Sequence, residues 1–177
     1  MVNKNKAVFL DRDGVLVKSI VRKKKGYAPR TFEEFVILPK VSEYCKILKN
    51  KGYKLIIVTN QPDISRGIIS KTDLNKMHRI LKLITNFDQI YVSTSTSNKS
   101  YFRKPNSGML IKSIKKFKLN IKKCYMIGDR ESDIIAAYNV GCKSIFINRK
   151  YDEKKPKLQI KTVNSFAEAV RFIINRL

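Results

Sequence analysis

Five short apolar runs, at residues 7–10, 55–58, 90–92, 124–127 and 144–147, punctuate the chain. They are rich in branched or aromatic side chains and are apolar at successive rather than alternate positions. Runs of this length without polar alternation predict strands covered on both faces. Between them apolar residues recur at helical spacing over 41–50, 71–84, 107–117, 131–139 and 165–175. Gly52 and Gly141 follow the first and fourth of these segments as stop signals. Ser165 or Asn164 is placed to cap the last, whose stripe is Phe166, Ala169, Val170 and Ile173. Strand alternating with helix along the whole chain predicts an α/β fold, a Rossmann-like three-layer sandwich around a mainly parallel, five-stranded central sheet. With 177 residues, one domain over 1–177 is the simplest organisation.

In an open parallel sheet the ligand crevice lies at the carboxyl ends of the strands. Polar residues collect there: Asp11-Arg12-Asp13-Gly14 after the first run, Thr59-Asn60-Gln61 after the second, Gly128-Asp129-Arg130 after the fourth. In extended backbone alternate side chains share a face, so Asp11 and Asp13 are expected to face one small volume and Arg12 to point elsewhere. An acidic turn at a strand end is ordinary when it stands alone. Together, these residues supply what hydrolysis of a phosphomonoester requires: a nucleophile, a divalent cation, donors for the phosphoryl oxygens and an acid for the leaving group. Asp11 and Asp129, with a backbone carbonyl from the Asp13 region, are candidate oxygen ligands for magnesium. Asp133, one helical turn after Asp129, is placed to order the outer shell of that metal. Thr59 can donate its hydroxyl to the phosphoryl group. Lys104, in Arg103-Lys104-Pro105, can set a point charge beside the nucleophile and keep it ionised.

The strings D-R-D-G-V-L, V-T-N-Q, R-K-P-N-S-G-M and G-D-R-E-S-D resemble, in order and spacing, the four motifs of the haloacid dehalogenase superfamily of phosphatases. Closer still, G-Y-A-P-R before E-E-F-V-I-L-P, then T-N-Q-P-D-I-S-R-G, R-K-P-x-x-G-M-L and Y-M-I-G-D-R resemble its heptose bisphosphate and histidinol phosphate phosphatase branch. That resemblance implies that Asp11 is the nucleophile forming an aspartyl-phosphate, and that Asp13 protonates the leaving oxygen and then activates water. It also implies substrate contacts from Asn60, Gln61, Arg66, Arg103 and Arg130, with a surface role at a helix start as the alternative for Arg66. The substrate it implies is a small anionic phosphosugar such as a heptose bisphosphate. Members of that branch carry a C-x-H and C-x-C zinc loop before the R-K-P lysine. Here Ser93, Ser95, Ser100 and Phe102 stand in the corresponding segment, so no structural zinc and a looser loop are expected. The one irregular stretch between Asp11 and Thr59, about 17–39, is too short for a large cap domain. A minimal cap or none is therefore expected, leaving an open site with Arg22, Lys23, Lys24, Lys25 and Tyr27 as a small basic flap or a solvated loop.

Charge broadens the choice of partner. The chain has 38 Lys and Arg against 14 Asp and Glu, a formal +24, which favours anions of every kind. The basic residues are scattered, so a solvated lysine surface and a face for non-specific nucleic acid binding both stay open. Two alternatives to the phosphosugar follow. One is a nucleic acid 3′-phosphatase, from the likeness of T-N-Q, I-S-R-G and R-K-P-x-x-G-M to the phosphatase domain of polynucleotide kinase-phosphatases. The other is a non-catalytic basic protein that binds nucleic acid. His78 lacks an acidic partner in the motif set and is read as a helix-surface or packing residue. Cys45, Cys124 and Cys142 are odd in number and at no metal-ligand spacing, which suits reduced core residues of a cytoplasmic protein. No apolar stretch approaches the ~20 residues that span a bilayer, and no long apolar segment follows the lysines of residues 1–6, so membrane insertion is not expected.

Overall fold

The structure, a computed structural model, describes residues 5–176; residues 1–4, part of the stretch read as lacking a leader, lie outside them. In chain order the elements are β1 (Lys6–Leu10), the short pair β2 (Ile20–Arg22) and β3 (Lys25–Tyr27), α1 (Val41–Asn50) and β4 (Tyr53–Asn60). They continue with α2 (Lys71–Thr85), β5 (Gln89–Ser93), α3 (Gly108–Phe117), a 3-10 turn at Ile121–Lys123, β6 (Tyr125–Gly128) and α4 (Glu131–Tyr138). β7 (Lys143–Ile147), β8 (Lys161–Val163) and α5 (Phe166–Ile174) complete the fold.

Uninterrupted apolarity in the central strands has a direct cause, because each strand feeds two cores. Val8 and Leu10 of β1 join Leu55 and Ile57 of β4 and the buried faces of α1, α2 and α5. Ala7 and Phe9 join Ile56 and Val58 and the buried faces of α3 and α4 on the other side. Each such aliphatic side chain stabilises the fold by roughly 1.5–3 kcal/mol when fully buried, so a polar residue in the middle of β1 or β4 would be strongly disfavoured. Polar chemistry is thereby confined to the strand ends.

The sheet has six strands, all parallel, in the order β5-β4-β1-β6-β7-β8. This corrects the expected five. β8 is only three residues long and buries Val163 alone, so it leaves no apolar run to read. The sequence boundaries of α1 agree with the structure, and the Ser165 side chain caps α5 by accepting from Glu168 N at 3.2 Å. Leu10, the last residue of β1, lies opposite both Ile57 and Ile127; β6 runs on to Gly128 and β4 to Asn60, so Asp11, Thr59 and Asp129 collect at one edge of the sheet. The stretch between β1 and α1 holds the antiparallel β2–β3 hairpin and returns beside its own start, with Lys18 N donating to Val36 O at 2.8 Å and Leu38 N to Leu16 O at 2.9 Å. Among the described residues no separate cap stands over the strand ends, and no helix is long and apolar enough to cross a membrane. The three cysteines are free and buried.

Candidate active site

β1 stops at Leu10, and the chain then turns rather than staying extended. Asp11 N still donates to Ile127 O at 3.0 Å, but Leu16 N and Val17 N both fold back to Arg12 O at 2.9 Å. Gly14 makes this turn at φ 79°, and a Cβ added there would lie 1.8 Å from Asp129 Oδ2. The glycine is required both by its backbone and by the closeness of Asp129. Gly14→Ala is expected to lower turnover at least about a hundredfold by displacing Asp129; a variant within a few-fold of the parent enzyme would show that the turn can move without disturbing that carboxylate.

Three buried carboxylates meet below this turn. One oxygen each from Asp11, Asp129 and Asp133 lie within 4.8 Å of one another. Lys104 answers two of them: its Nζ sits 2.9 Å from Asp11 Oδ1 and 2.6 Å from Asp133 Oδ1, and also donates to Val58 O at 2.7 Å. Burial alone would push the Lys104 ammonium down, but Asp11 and Asp133 outweigh it and hold the pKa above its ordinary value. Asp133 Oδ2 accepts from Arg130 N at 3.0 Å, closing the first turn of α4. Even so, burial raises Asp133 to about 6, Lys104 opposing and Asp11 adding to the rise.

Asp129 is the unsatisfied member. Neither of its oxygens has a hydrogen bond, although the Tyr151 hydroxyl approaches without meeting hydrogen-bond geometry. Burial, then Asp11 and Asp133, push its carboxyl well above the usual range, and Arg130 and Tyr151 offset only part of this. An all-oxygen donor set containing a buried, unpartnered carboxylate fits a hard divalent cation such as magnesium. The structure brings the expected ligands Asp11 and Asp129 together with Asp133, expected behind them, whereas the Asp13 carboxylate is engaged by Arg12.

The raised carboxyls carry a sign for stability. Their folded pKa values exceed the ordinary 3.8, so between about pH 4 and 6 the folded chain binds more protons than the unfolded one. Stability from this source is complete at acid pH and is lost as pH rises through about 6. Metal-free protein should therefore melt lower at pH 8 than at pH 5, and millimolar magnesium should raise the melting temperature much more at pH 8. Equal increments at the two pH values would mean that these carboxylates do not receive the ion.

Arg12 does not point away. It is fully buried and turns its guanidinium back on Asp13, Nε donating to Oδ1 at 2.9 Å and Nη2 to Oδ2 at 3.0 Å. The alternation rule fails here because β1 has already ended. Gln61, expected among the substrate contacts, is 1% exposed. Its Nε2 bridges Asp13 Oδ2 at 2.7 Å and Thr59 Oγ1 at 2.9 Å, and its Oε1 accepts from Arg12 Nη2 at 3.0 Å. Thr59 is buried beside it. Sequence reasoning missed Arg12, whose signal was a cation set between buried runs, where it must be paired. His78 lies on the buried stripe of α2 with its Nε2 3.1 Å from Arg12 Nη1.

Above this floor opens a cleft of about 690 Å³, with Asp11, Asp13, Lys104 and Asp133 at its base. Asn60 lines it and holds the Lys104 backbone from both sides, accepting from Lys104 N at 3.1 Å and donating to Lys104 O at 3.0 Å. Arg66, Arg103 and Arg130 stand around the opening. Each is anchored: Arg66 to Asp63 Oδ1 at 3.0 Å, Arg103 to Ser95 O at 2.8 Å, Arg130 to Gly26 O and Glu153. Burial and then the charges of Arg66 and Arg130 push the Arg103 guanidinium down, a sign that the three cations converge. Of the expected basic flap, Lys25 and Tyr27 line the cleft, whereas Arg22 turns to Glu34 at 3.0 Å.

The segment expected to be loose is held by hydrogen bonds. Asn106 Nδ2 donates to Asn98 O at 2.8 Å and Ser100 O at 2.9 Å, and Arg103 Nε donates to Asn98 Oδ1 at 3.3 Å. Tyr151 was also missed; it lies in the charged stretch after β7, and its ring packs where a Cβ on Gly26 would stand 2.6 Å away.

Residues 5–147, which carry Asp11, Thr59, Lys104 and Asp129, are matched by the family model of haloacid dehalogenase-like hydrolases. The chain belongs to that family, and it is a phosphatase. It is 33% identical over 150 residues to the D-glycero-beta-D-manno-heptose-1,7-bisphosphate 7-phosphatase of Helicobacter pylori, covering 81% of this chain and 83% of that one. It is 34% identical over 151 residues to the D-glycero-alpha-D-manno-heptose-1,7-bisphosphate 7-phosphatase of Burkholderia mallei, covering 78% and 77%. The crystal structure of D,D-heptose 1,7-bisphosphate phosphatase from B. bronchiseptica, complexed with magnesium and phosphate, superposes with a TM-score of 0.81 at 20% identity, over 98% of this chain and 99% of that one.

Proposed function

We propose that this phosphatase hydrolyses a phosphomonoester of a doubly phosphorylated sugar, of the heptose bisphosphate class, through an aspartyl-phosphate on Asp11. The observation that carries the reading is the pairing of one reactive floor with a separate ring of three guanidiniums, Arg66, Arg103 and Arg130, around a single cleft. One phosphoryl group sits at Asp11 while a second anionic group meets the arginines. The relatives named as heptose bisphosphate phosphatases act on a substrate of that form. The described residues are taken as one hydrolase domain, since both apolar cores share one sheet. The buried, unpaired thiols suit a cytoplasmic setting.

The Asp11 carboxylate, oriented by Arg12 N at 2.8 Å and by Lys104, attacks phosphorus. As the bond to the leaving oxygen breaks, the Asp13 carboxyl gives that oxygen its proton. Water then attacks the phosphoryl group, Asp13 takes the water proton, and the Asp11–phosphorus bond breaks to release orthophosphate. Asp11 and Asp129, with Asp133 behind them, would hold magnesium, which would supply positive charge to the phosphoryl oxygens. Lys104 balances Asp11 and Asp133 throughout. Gln61, whose Nε2 is shared with Thr59 Oγ1, holds the Asp13 carboxylate in place.

The test is a substrate panel with magnesium: a heptose 1,7-bisphosphate, histidinol phosphate and a 3′-phosphorylated oligonucleotide. The expected result is the highest kcat/KM on the bisphosphate, by about tenfold or more over either of the others. A second reading, nucleic acid 3′-phosphatase, draws on the uncapped cleft and the formal charge of +24. Preference for the oligonucleotide, with a steep loss in salt, would establish that reading instead.

A further inference from the structure

The acid Asp13 is not held by the cleft alone. A guanidinium carries five N–H donors and no acceptor, and four of the Arg12 donors have partners: Nε with Asp13 Oδ1, Nη2 with Asp13 Oδ2 and Gln61 Oε1, and Nη1 with His78 Nε2. Because Nη1 can only donate, Nε2 of His78 must accept. The ring is therefore neutral, with its proton on Nδ1. Burial, and then the Arg12 charge, act in the same direction and push His78 down to about 3. His78 is the only histidine in the chain, it sits on the opposite core from α3 and α4, and it touches neither the carboxylate cluster nor the cleft.

The Asp13 lone pairs sharpen this. Oδ2 accepts from both Arg12 Nη2 and Gln61 Nε2, at 3.0 and 2.7 Å, whereas Oδ1 accepts from Arg12 Nε alone at 2.9 Å. A carboxylate oxygen has two acceptor sites. Oδ1 thus keeps one site for a transferred proton, and the rotation of Arg12 about its own axis decides where that site points.

We propose that His78 is a positioning residue for proton transfer, fixing through Arg12 the rotation of the Asp13 carboxylate so that Oδ1 faces the leaving oxygen. The proposal deepens the reading above and rests on Asp13 being the acid. His78 anchors the far end of the guanidinium, and the fork at the near end transmits that anchor to Asp13. Without it, Arg12 keeps its ion pair but gains a degree of rotational freedom. The acid is then present but misaligned.

Loss of alignment and loss of folding predict different kinetics. An acid matters most when the leaving oxygen is a poor leaving group, so the readout is kcat/KM on phenyl phosphate against p-nitrophenyl phosphate, which needs little protonation. With His78→Leu, kcat/KM should fall about tenfold on phenyl phosphate and less than about twofold on p-nitrophenyl phosphate. His78→Gln, whose carbonyl oxygen can accept from Nη1, should recover most of that discrimination. Equal losses on both substrates, or no loss, would overturn the proposal. Nitrogen-15 NMR of the single histidine in the parent protein decides independently of turnover and of whether His78→Leu folds. A neutral ring with Nδ1–H at pH 6 is required, and a proton on Nε2 would refute it. If the parent protein turned over neither aryl phosphate with magnesium, the reading of Asp11 and Asp13 would fall as well, whereas failure on heptose bisphosphate alone would remove only the substrate assignment.

Discussion

Asp11→Asn is expected to lower turnover by at least about 10⁴-fold while leaving the protein as stable as before or more so. In the proposed mechanism Asp11 is the covalent nucleophile; an amide is far too weak to take that part, and removing a covalent nucleophile from a positioned site commonly costs that much or more. The geometry explains why folding should survive. Asp11 Oδ1 accepts from Arg12 N at 2.8 Å and lies 2.9 Å from Lys104 Nζ, and an amide oxygen can keep both contacts. The substitution also removes one of the charges that raise Asp129 and Asp133. Acid-quenched protein should carry covalent phosphate in the parent chain and none in the variant. Turnover above one hundredth of the parent value would place the nucleophile elsewhere.

Lys104→Met should have the largest effect on stability. Lys104 Nζ is the cation between two buried carboxylates, at 2.9 and 2.6 Å, and deleting one partner of a buried ion pair typically destabilises by about 3–5 kcal/mol because the remaining charge is left uncompensated. For a chain of this size that is roughly 6–20 °C in melting temperature. The loss should be greatest at pH 8 and shrink toward pH 5, since protonated carboxyls need no counter-charge. Activity should fall as well, because the Asp11 carboxylate loses its nearest cation. An unchanged melting temperature at pH 8 would show that magnesium or solvent, rather than Lys104, balances the cluster.

What the sequence made legible follows from where strict rules apply. The covered strands are visible because both faces of β1 and β4 are apolar, and the strand-end rule then places Asp11, Thr59 and Asp129 at one edge before any contact is known. Lys104, by contrast, comes from a motif rather than from periodicity: it reaches Asp11 from a loop forty-odd residues past β4 (about 44 from Asn60, the residue that clamps it). The orientation of Arg12 was misread because strand alternation was extended through Asp13, three residues beyond the last paired position of β1, Leu10 with Ile57. β8 was invisible because it buries one side chain only. The part played by Gln61 could not be read at all, since a buried amide and a substrate-facing amide look alike in a sequence.

The β2–β3 hairpin ends in Lys23 and Lys24 at φ 47° and 60°, a backbone that non-glycine residues adopt at roughly 1–2 kcal/mol each. A two-stranded ribbon is marginal even with a relaxed turn. This one is kept in place by what it leans on: Asp152 N donates to Lys24 O at 2.8 Å, Arg130 to Gly26 O, and the Tyr151 ring covers Gly26. The hairpin and residues 151–152 consequently form one cooperative unit, opening together and exchanging their amide hydrogens at a common rate. Because Tyr151 also borders Asp129, an ion seated at that carboxylate should slow exchange at Gly26 and Asp152, two amides that never touch it.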